Sequence, residues 1–276
     1  MTLDQEKGAA GLAYWDRQHQ TVLSMGCVLL VEGEDDRLTV EAALSQLSST
    51  WQVSAAVLTM YGRDRVLDTL RKKTLPGDRA LPMKVLGLVD RDTWDDAEVA
   101  DQKKRLPGLY VTDGCCLENS LLLDRGAERP ELAAYRQAWV RAGALGWAQQ
   151  RAWERLSAGN LTPQWVPNLT LDFNSAADLA ATLRTAFPDL NGAAVGVRPD
   201  ALATVALARL ASIEVMPSAD QWLRGVHGKE AFKRLYVRYL NQGLAGANAK
   251  DANGWRRALA AELAVLPTVK AIAADL

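Results

Sequence analysis

The chain has 276 residues, with 32 Lys and Arg against 33 Asp and Glu, and a formal net charge of -1. At 49% hydrophobic and 24% charged residues its composition is globular, which excludes a disordered or collagen-like chain. The balanced charge excludes polyanion binding through bulk positive charge, so any nucleic-acid surface has to be a local patch.

The N-terminal segment 1–25 is charged and lacks the apolar stretch of a signal peptide. From 26 to 125, short apolar runs alternate with amphipathic stretches. Cys27–Val31 is an unbroken apolar run rich in β-formers, as expected of a strand covered on both faces. Asp35 to Leu47 carries Leu38, Ala42, Leu44 and Leu47 on a helical stripe. Val53 to Thr59 reads as a second strand, and Asp64 to Lys73 as a helix with Val66, Leu67 and Leu70 inward. After the breakers Pro76, Gly77 and Pro82 comes the apolar run Val85–Val89, and Leu109–Val111 is a short fourth strand. Strands alternating with helices predict an α/β domain whose mostly parallel sheet is flanked by helices.

From 126 to 276 the pattern turns helical. Pro130 to Leu156, Ala201 to Ala211, the spacing of Phe232, Leu235, Tyr236, Tyr239 and Leu240, and Trp255 to Leu266 all follow a helical period. Leu161 to Thr170 reads as a loop. The apolar stripes of this α-helical C-terminal region need cover, so it is expected to pack on the sheet domain.

Two residue classes narrow the chemistry. Cys115 and Cys116 are adjacent and Cys27 is the other thiol, which makes no disulfide framework and suits buried packing. His19 and His227 lie far apart with no nearby Cys, leaving little material for zinc. No stretch approaches 18 uncharged apolar residues, so no membrane span is expected, and the Asn-x-Thr triplets at Asn160 and Asn168 read as chance. The expectation is a reduced, cytoplasmic, soluble protein.

The acidic residues stand where the apolar runs end. Val31 leads into Glu32-Gly33-Glu34-Asp35-Asp36, and Val89 into Asp90-Arg91-Asp92. In an open parallel sheet, reactive groups collect at the carboxyl ends of strands, so neighbouring strands would bring Glu32, Asp90 and Asp92 together. Hard oxygen ligands of this kind suit Mg²⁺ or Mn²⁺. The plainer reading is a set of solvated loop carboxylates. It is strongest for Asp36 and Glu118, which a helix dipole stabilises in a first turn without any metal, and it extends to Asp95 and Asp96 as an exposed loop or helix start.

Val31-Glu-Gly-Glu-Asp-Asp36 followed by Leu88-Val-Asp-Arg-Asp92 resembles a TOPRIM domain, a Rossmann-like fold. Leu117-Glu-Asn-Ser-Leu121 and Gly228-Lys-Glu230 extend the likeness to TOPRIM-like effector nucleases of anti-phage defence, such as the nuclease partner of the PARIS system and OLD-type nucleases. The resemblance covers about residues 26–125 and thins beyond 130.

It implies Mg²⁺- or Mn²⁺-dependent cleavage of DNA or RNA, tRNA included. Glu32 is implied as acid/base or ligand, Asp90 and Asp92 as metal ligands, and Asp36 and Glu118 as ligands at a second position. Arg91 is implied to contact phosphate. Lys229, Lys233, Arg234 and Arg238, with Arg224 close by, form a basic group suited to nucleic acid or an acidic partner. The clusters Arg63/Arg65, Arg71-Lys72-Lys73 and Lys103-Lys104-Arg105, and Trp94 beside the acidic loop, are further contact candidates against a default of solvated face and core.

No GxxxxGK[ST] element occurs, so the ATPase half of the OLD proteins is missing, and either the nuclease works alone or a separate ABC/SMC-like ATPase partner controls it. A homodimer stays open. So do two other functions on the same fold: a non-catalytic docking protein, and a phosphoryl or nucleotidyl transferase.

Overall fold

Every side chain of Cys27–Val31 is buried, which is why an uninterrupted apolar run stands there. At about 1.5–3 kcal/mol for each large apolar side chain buried, this strand alone anchors a core. The structure is a computed structural model and describes residues 22, 24–75, 79–81, 83–124, 130–156, 165, 175–188, 195–235 and 259–276.

Its elements begin with β1 (Cys27–Val31), α1 (Glu34–Leu47), α2 (Trp51–Ser54), β2 (Ala55–Thr59) and α3 (Arg63–Lys72). Next come β3 (Thr74–Leu75), β4 (Arg79–Ala80), β5 (Lys84–Val89), α4 (Asp96–Arg105), β6 (Leu109–Val111) and α5 (Leu117–Asp124). Then follow α6 (Ala133–Leu156), α7 (Ala176–Ala186), α8 (Pro199–Glu214), α9 (Ser218–Arg224), α10 (Gly228–Leu235), α11 (Ala260–Val265) and α12 (Pro267–Asp275).

The strand order is β2-β1-β5-β6, parallel throughout, with β3 and β4 forming a small separate antiparallel pair. The chain is therefore α/β with a four-stranded parallel sheet. The sheet grows from β1 in both directions: β2 joins on one side, and the chain then crosses over to place β5 on the other. The opening between the carboxyl ends of β1 and β5 is a topological switch point, where open α/β sheets place their ligands.

Side chains alternate across the sheet. Val28, Leu30, Val85 and Val89 share a core with Leu58, Met60 and the α3 residues Val66 and Leu70. Gly87 lies on that same face of β5, and a Cβ there would meet Val66 Cγ1 at 3.0 Å and Leu70 Cδ2 at 3.4 Å. The missing side chain is what lets α3 come so close to the sheet. Helix α1 buries Val40, Ala43 and Leu44 and is itself packed by α11 and α12.

The described residues fall into two compact units. The first is drawn from Met1–Asp90, Trp94–Thr112 and Leu244–Leu276, and the second from Arg91–Thr93 and Asp113–Gly243. This division differs from the expected 1–25, 26–125 and 126–276. The sheet unit closes at Thr112, and the last helices return to it, because α11 packs on α1 while Lys84 Nζ and Tyr110 Oη both bond to Asp275. In the second unit α8 buries Leu202, Ala203, Ala206, Leu210 and Ile213 and packs against α6 and α7. Cys115 and Cys116 are both buried, as expected of packing residues. Among the described residues no helix is long and apolar enough to cross a membrane.

Local chemistry explains where several elements begin. Asp95 caps α4, accepting from the Glu98 amide at 2.8 Å while Glu98 accepts from the Asp95 amide at 2.9 Å. This is a reciprocal box that satisfies two otherwise unpaired donors. The second strand starts later than Val53 because Trp51–Ser54 first makes a helical turn, with Trp51 buried. Residues 161–164 and 166–170 of the expected loop, and the expected helical residues 236–240 and 255–258, lie outside the described residues.

Candidate functional site

The carboxyl ends of β1 and β5 meet through one bond. Glu32 Oε1 accepts the main-chain N–H of Asp90 at 2.8 Å, across 58 residues of sequence. Parallel pairing of Val31 with Leu88 brings the two ends level, so the residue leaving each strand faces the same opening. A charged acceptor makes this a bond worth about 1.5–3 kcal/mol. It also fixes the Glu32 carboxylate against the first residue of Asp90-Arg91-Asp92. Asp90 is buried, at 8% exposure, and Glu32 half-buried. The strand-end pattern predicts Glu32, Asp90 and Asp92 together; the bond seen at the switch point joins Glu32 to the main chain of Asp90.

The turn after β2 borders the same edge. Gly62 N–H donates to the Glu32 carbonyl at 2.9 Å. Gly62 has φ 133°, a conformation that only glycine adopts easily. Tyr61, just before it, is 54% exposed and has φ 57°. Arg63 Cζ lies 4.7 Å from the ring centre of Trp94, a cation–π contact that holds the guanidinium at this rim.

The other acidic candidates have local duties. Asp36 Oδ2 accepts from the Gly33 amide at 3.0 Å, satisfying a donor at the start of α1. Glu34 pairs with Arg37, which also reaches Glu41 Oε2 at 2.7 Å. The bond to Glu34 is the main cause that raises the Arg37 pKa, with Glu41 adding to it. Asp92 belongs to the second unit. Its φ is 47°, a left-handed conformation costing on the order of 1 kcal/mol, and its amide donates to the Cys115 carbonyl at 3.0 Å. Glu118 is buried, at 5% exposure, in the first turn of α5. Among the described residues no three His, Cys, Asp or Glu side chains form a metal-binding group. The contact seen between the acidic residues joins the Glu32 carboxylate to the main-chain amide of Asp90.

Sequence reasoning missed the part played by Asn119. This residue is fully buried. Its Oδ1 accepts from the Cys116 amide at 2.8 Å and from Cys116 Sγ at 3.3 Å. Its Nδ2 donates to the carbonyls of Trp222 at 2.7 Å and Val226 at 2.9 Å. Asn119 therefore ties the start of α5 to the last turn of α9 and to the turn that leads into α10. The available signal was an amide side chain inside an apolar helix, which at a buried position demands partners.

Of the basic candidates, Arg91 is 9% exposed. Lys233 Nζ stands 3.8 Å from Glu230 on α10, and Arg234 Cζ lies 5.8 Å from the ring centre of Trp139. Lys229 is half-buried at the start of the same helix, and Arg238 lies outside the described residues. Arg71 and Lys72 pair with Asp68, and Arg105 with Asp101. His227, just before α10, is held low at a pKa of about 4 by burial and then by Lys229 and Lys233.

No protein-family model, curated protein or solved structure matches this chain.

Proposed function

We propose that the chain is a Mg²⁺- or Mn²⁺-dependent nuclease of the TOPRIM type, hydrolysing phosphodiester bonds in DNA or RNA. The observation that carries the reading is the 2.8 Å bond from the Asp90 amide to Glu32 Oε1 at the switch point. Mg²⁺ is commonly held by one or two carboxylates, with waters and substrate phosphate oxygens filling the remaining positions, so a two-carboxylate edge fits such an ion. Glu32 and Asp90 are the residues that would hold it. Bound there, a divalent ion would supply charge neutralisation at the phosphate and a water acidic enough to attack it.

The chain's own contribution is orientation. Holding Glu32 Oε1 on a main-chain amide leaves its second oxygen aimed by the same bond, as an acid/base group or ligand must be. Asp36 neutralises the Gly33 donor and so steadies the turn that presents Glu32. Asp92 is implied as a further ligand by the motif resemblance alone. We place the protein in the cytoplasm as an effector of prokaryotic anti-phage defence, controlled by a separate ATPase, on the strength of the motif resemblance alone.

The test is cleavage of plasmid, single-stranded DNA and total tRNA with Mg²⁺ or Mn²⁺, using wild type, Glu32→Gln, and Asp90→Ala combined with Asp92→Ala. Cleavage that needs the metal, is abolished in the double variant and is heavily reduced in Glu32→Gln supports the reading. Cleavage undiminished in the double variant, or none by wild type on any substrate, overturns it in favour of docking. Extension or labelling of an acceptor in place of new termini assigns a transferase.

A further inference from the structure

The turn after β2 holds two uncommon backbone conformations in succession. Tyr61 has φ 57° and Gly62 φ 133°. Glycine takes such angles freely, whereas a bulky residue in the left-handed region is an outlier, because its Cβ crowds the backbone. Asparagine or glycine would suit position 61 better than tyrosine does. The turn itself therefore gives no reason for an aromatic ring. Packing gives only part of one, since Tyr61 is 54% exposed.

Its place in the fold is set from both sides. Met60 N–H donates to the Val31 carbonyl at 2.8 Å, and Gly62 N–H donates to the Glu32 carbonyl at 2.9 Å. The Tyr61 backbone thus runs beside the end of β1, where the Glu32 carboxylate holds the Asp90 amide at 2.8 Å. The segment after Asp90 comes to the same turn: Arg63 Cζ lies 4.7 Å from the ring centre of Trp94, which is packed against the sheet core. All of these residues belong to the sheet unit. Strained conformations cluster at ligand sites, where they persist for what the side chain presents.

We propose that Tyr61 is a plate on which one nucleobase stacks beside the Glu32–Asp90 edge and, building on the nuclease reading of that edge, that the substrate is a single strand. An aromatic face accepts any base, because every base has a π-face of its own. In a duplex those faces are covered by the neighbouring pairs. In a single-stranded loop or end, a base turns out and meets the ring. Stacking on Tyr61 would keep such a strand at the edge where Glu32 and Asp90 would hold the ion.

The test measures binding in EDTA, where no metal-dependent cleavage occurs. Fluorescently labelled oligo-dT and oligo-U of about 15 nucleotides are titrated with the full chain and followed by anisotropy, with a duplex of the same length as control. Saturable binding of single strands is expected, weakened at least about fivefold by Tyr61→Asn and kept within about twofold by Tyr61→Phe. The duplex should not distinguish Tyr61→Asn from wild type. Asparagine accepts the left-handed backbone, so Tyr61→Asn should melt no lower than wild type, and the lost affinity then belongs to the ring. Should Tyr61→Asn not fold, Tyr61→Gly is read in the same way. No binding by wild type, equal affinity in Tyr61→Asn, or Tyr61→Phe as weak as Tyr61→Asn overturns the proposal. Tighter ring-dependent binding of oligo-U or of oligo-dT assigns the strand to RNA or to DNA. Ring-dependent binding by a chain that never cleaves those strands with Mg²⁺ or Mn²⁺ leaves the plate in place and overturns the nuclease reading instead. Cleavage together with equal affinity in Tyr61→Asn does the reverse.

Discussion

Replacing Asn119 by alanine removes a buried amide that serves three main-chain groups. The Cys116 N–H loses its acceptor at 2.8 Å, and the Trp222 and Val226 carbonyls lose their donor at 2.7 and 2.9 Å. Asn119 and Trp222 are both fully buried, and Cys116 and Val226 nearly so. A buried polar group stripped of its partner costs about 1–3 kcal/mol. With partial relaxation, three such losses come to roughly 3–5 kcal/mol, a severe effect for a single substitution. For a protein of this size each kcal/mol moves the melting temperature by about 2–4 °C, which predicts a drop of roughly 10 °C by scanning calorimetry. Asn119→Asp should fare no better, since it restores an acceptor for Cys116 and sets a carboxylate against two carbonyls. A shift of less than about 3 °C would show that the α5 junction is not held by this side chain, and the explanation of the Leu-Glu-Asn segment would fail with it.

Other outcomes follow from particular contacts. Gly87→Val pushes a side chain against Val66 and Leu70, both buried. It should cost about 1–3 kcal/mol by urea unfolding, while a neutral result would mean that α3 can slide off the sheet. Asp36→Ala leaves the Gly33 amide without its acceptor and should lower stability by about 0.5–2 kcal/mol in the same assay. His227 has a folded-state pKa of about 4, below its ordinary value of 6.5, so the unfolded chain binds the proton more readily. The stabilisation is present above pH 6.5 and is lost as pH falls towards 4, on the order of 2–3 kcal/mol in all. His227→Gln should flatten that part of the stability profile, and an unchanged profile would assign the acid sensitivity to other groups.

The sheet was legible because runs such as Cys27–Val31 and Val85–Val89 are covered on both faces, and burial of that kind leaves an unbroken apolar sequence. Glu32 and Asp90 were legible for the same reason, as the first acidic residues after those runs. That apolar helical stripes near the C-terminus need cover was legible too, and α11 and α12 find it on α1; which of the C-terminal helices would join the sheet unit was not, because a stripe announces burial without naming the surface that buries it. Asn119 passed unread beside Glu118, since a carboxylate suggests chemistry and an amide does not.

The proposed cation site at the end of the parallel sheet, made by Glu32 and Asp90, can be examined without any nucleic acid by titrating Mn²⁺ into the chain while following the free-ion signal by electron paramagnetic resonance. Saturable binding is expected in wild type, weakened in Glu32→Gln and lost in Asp90→Ala, with both variants melting cooperatively. Mn²⁺ binding of equal strength in all three proteins would contradict it.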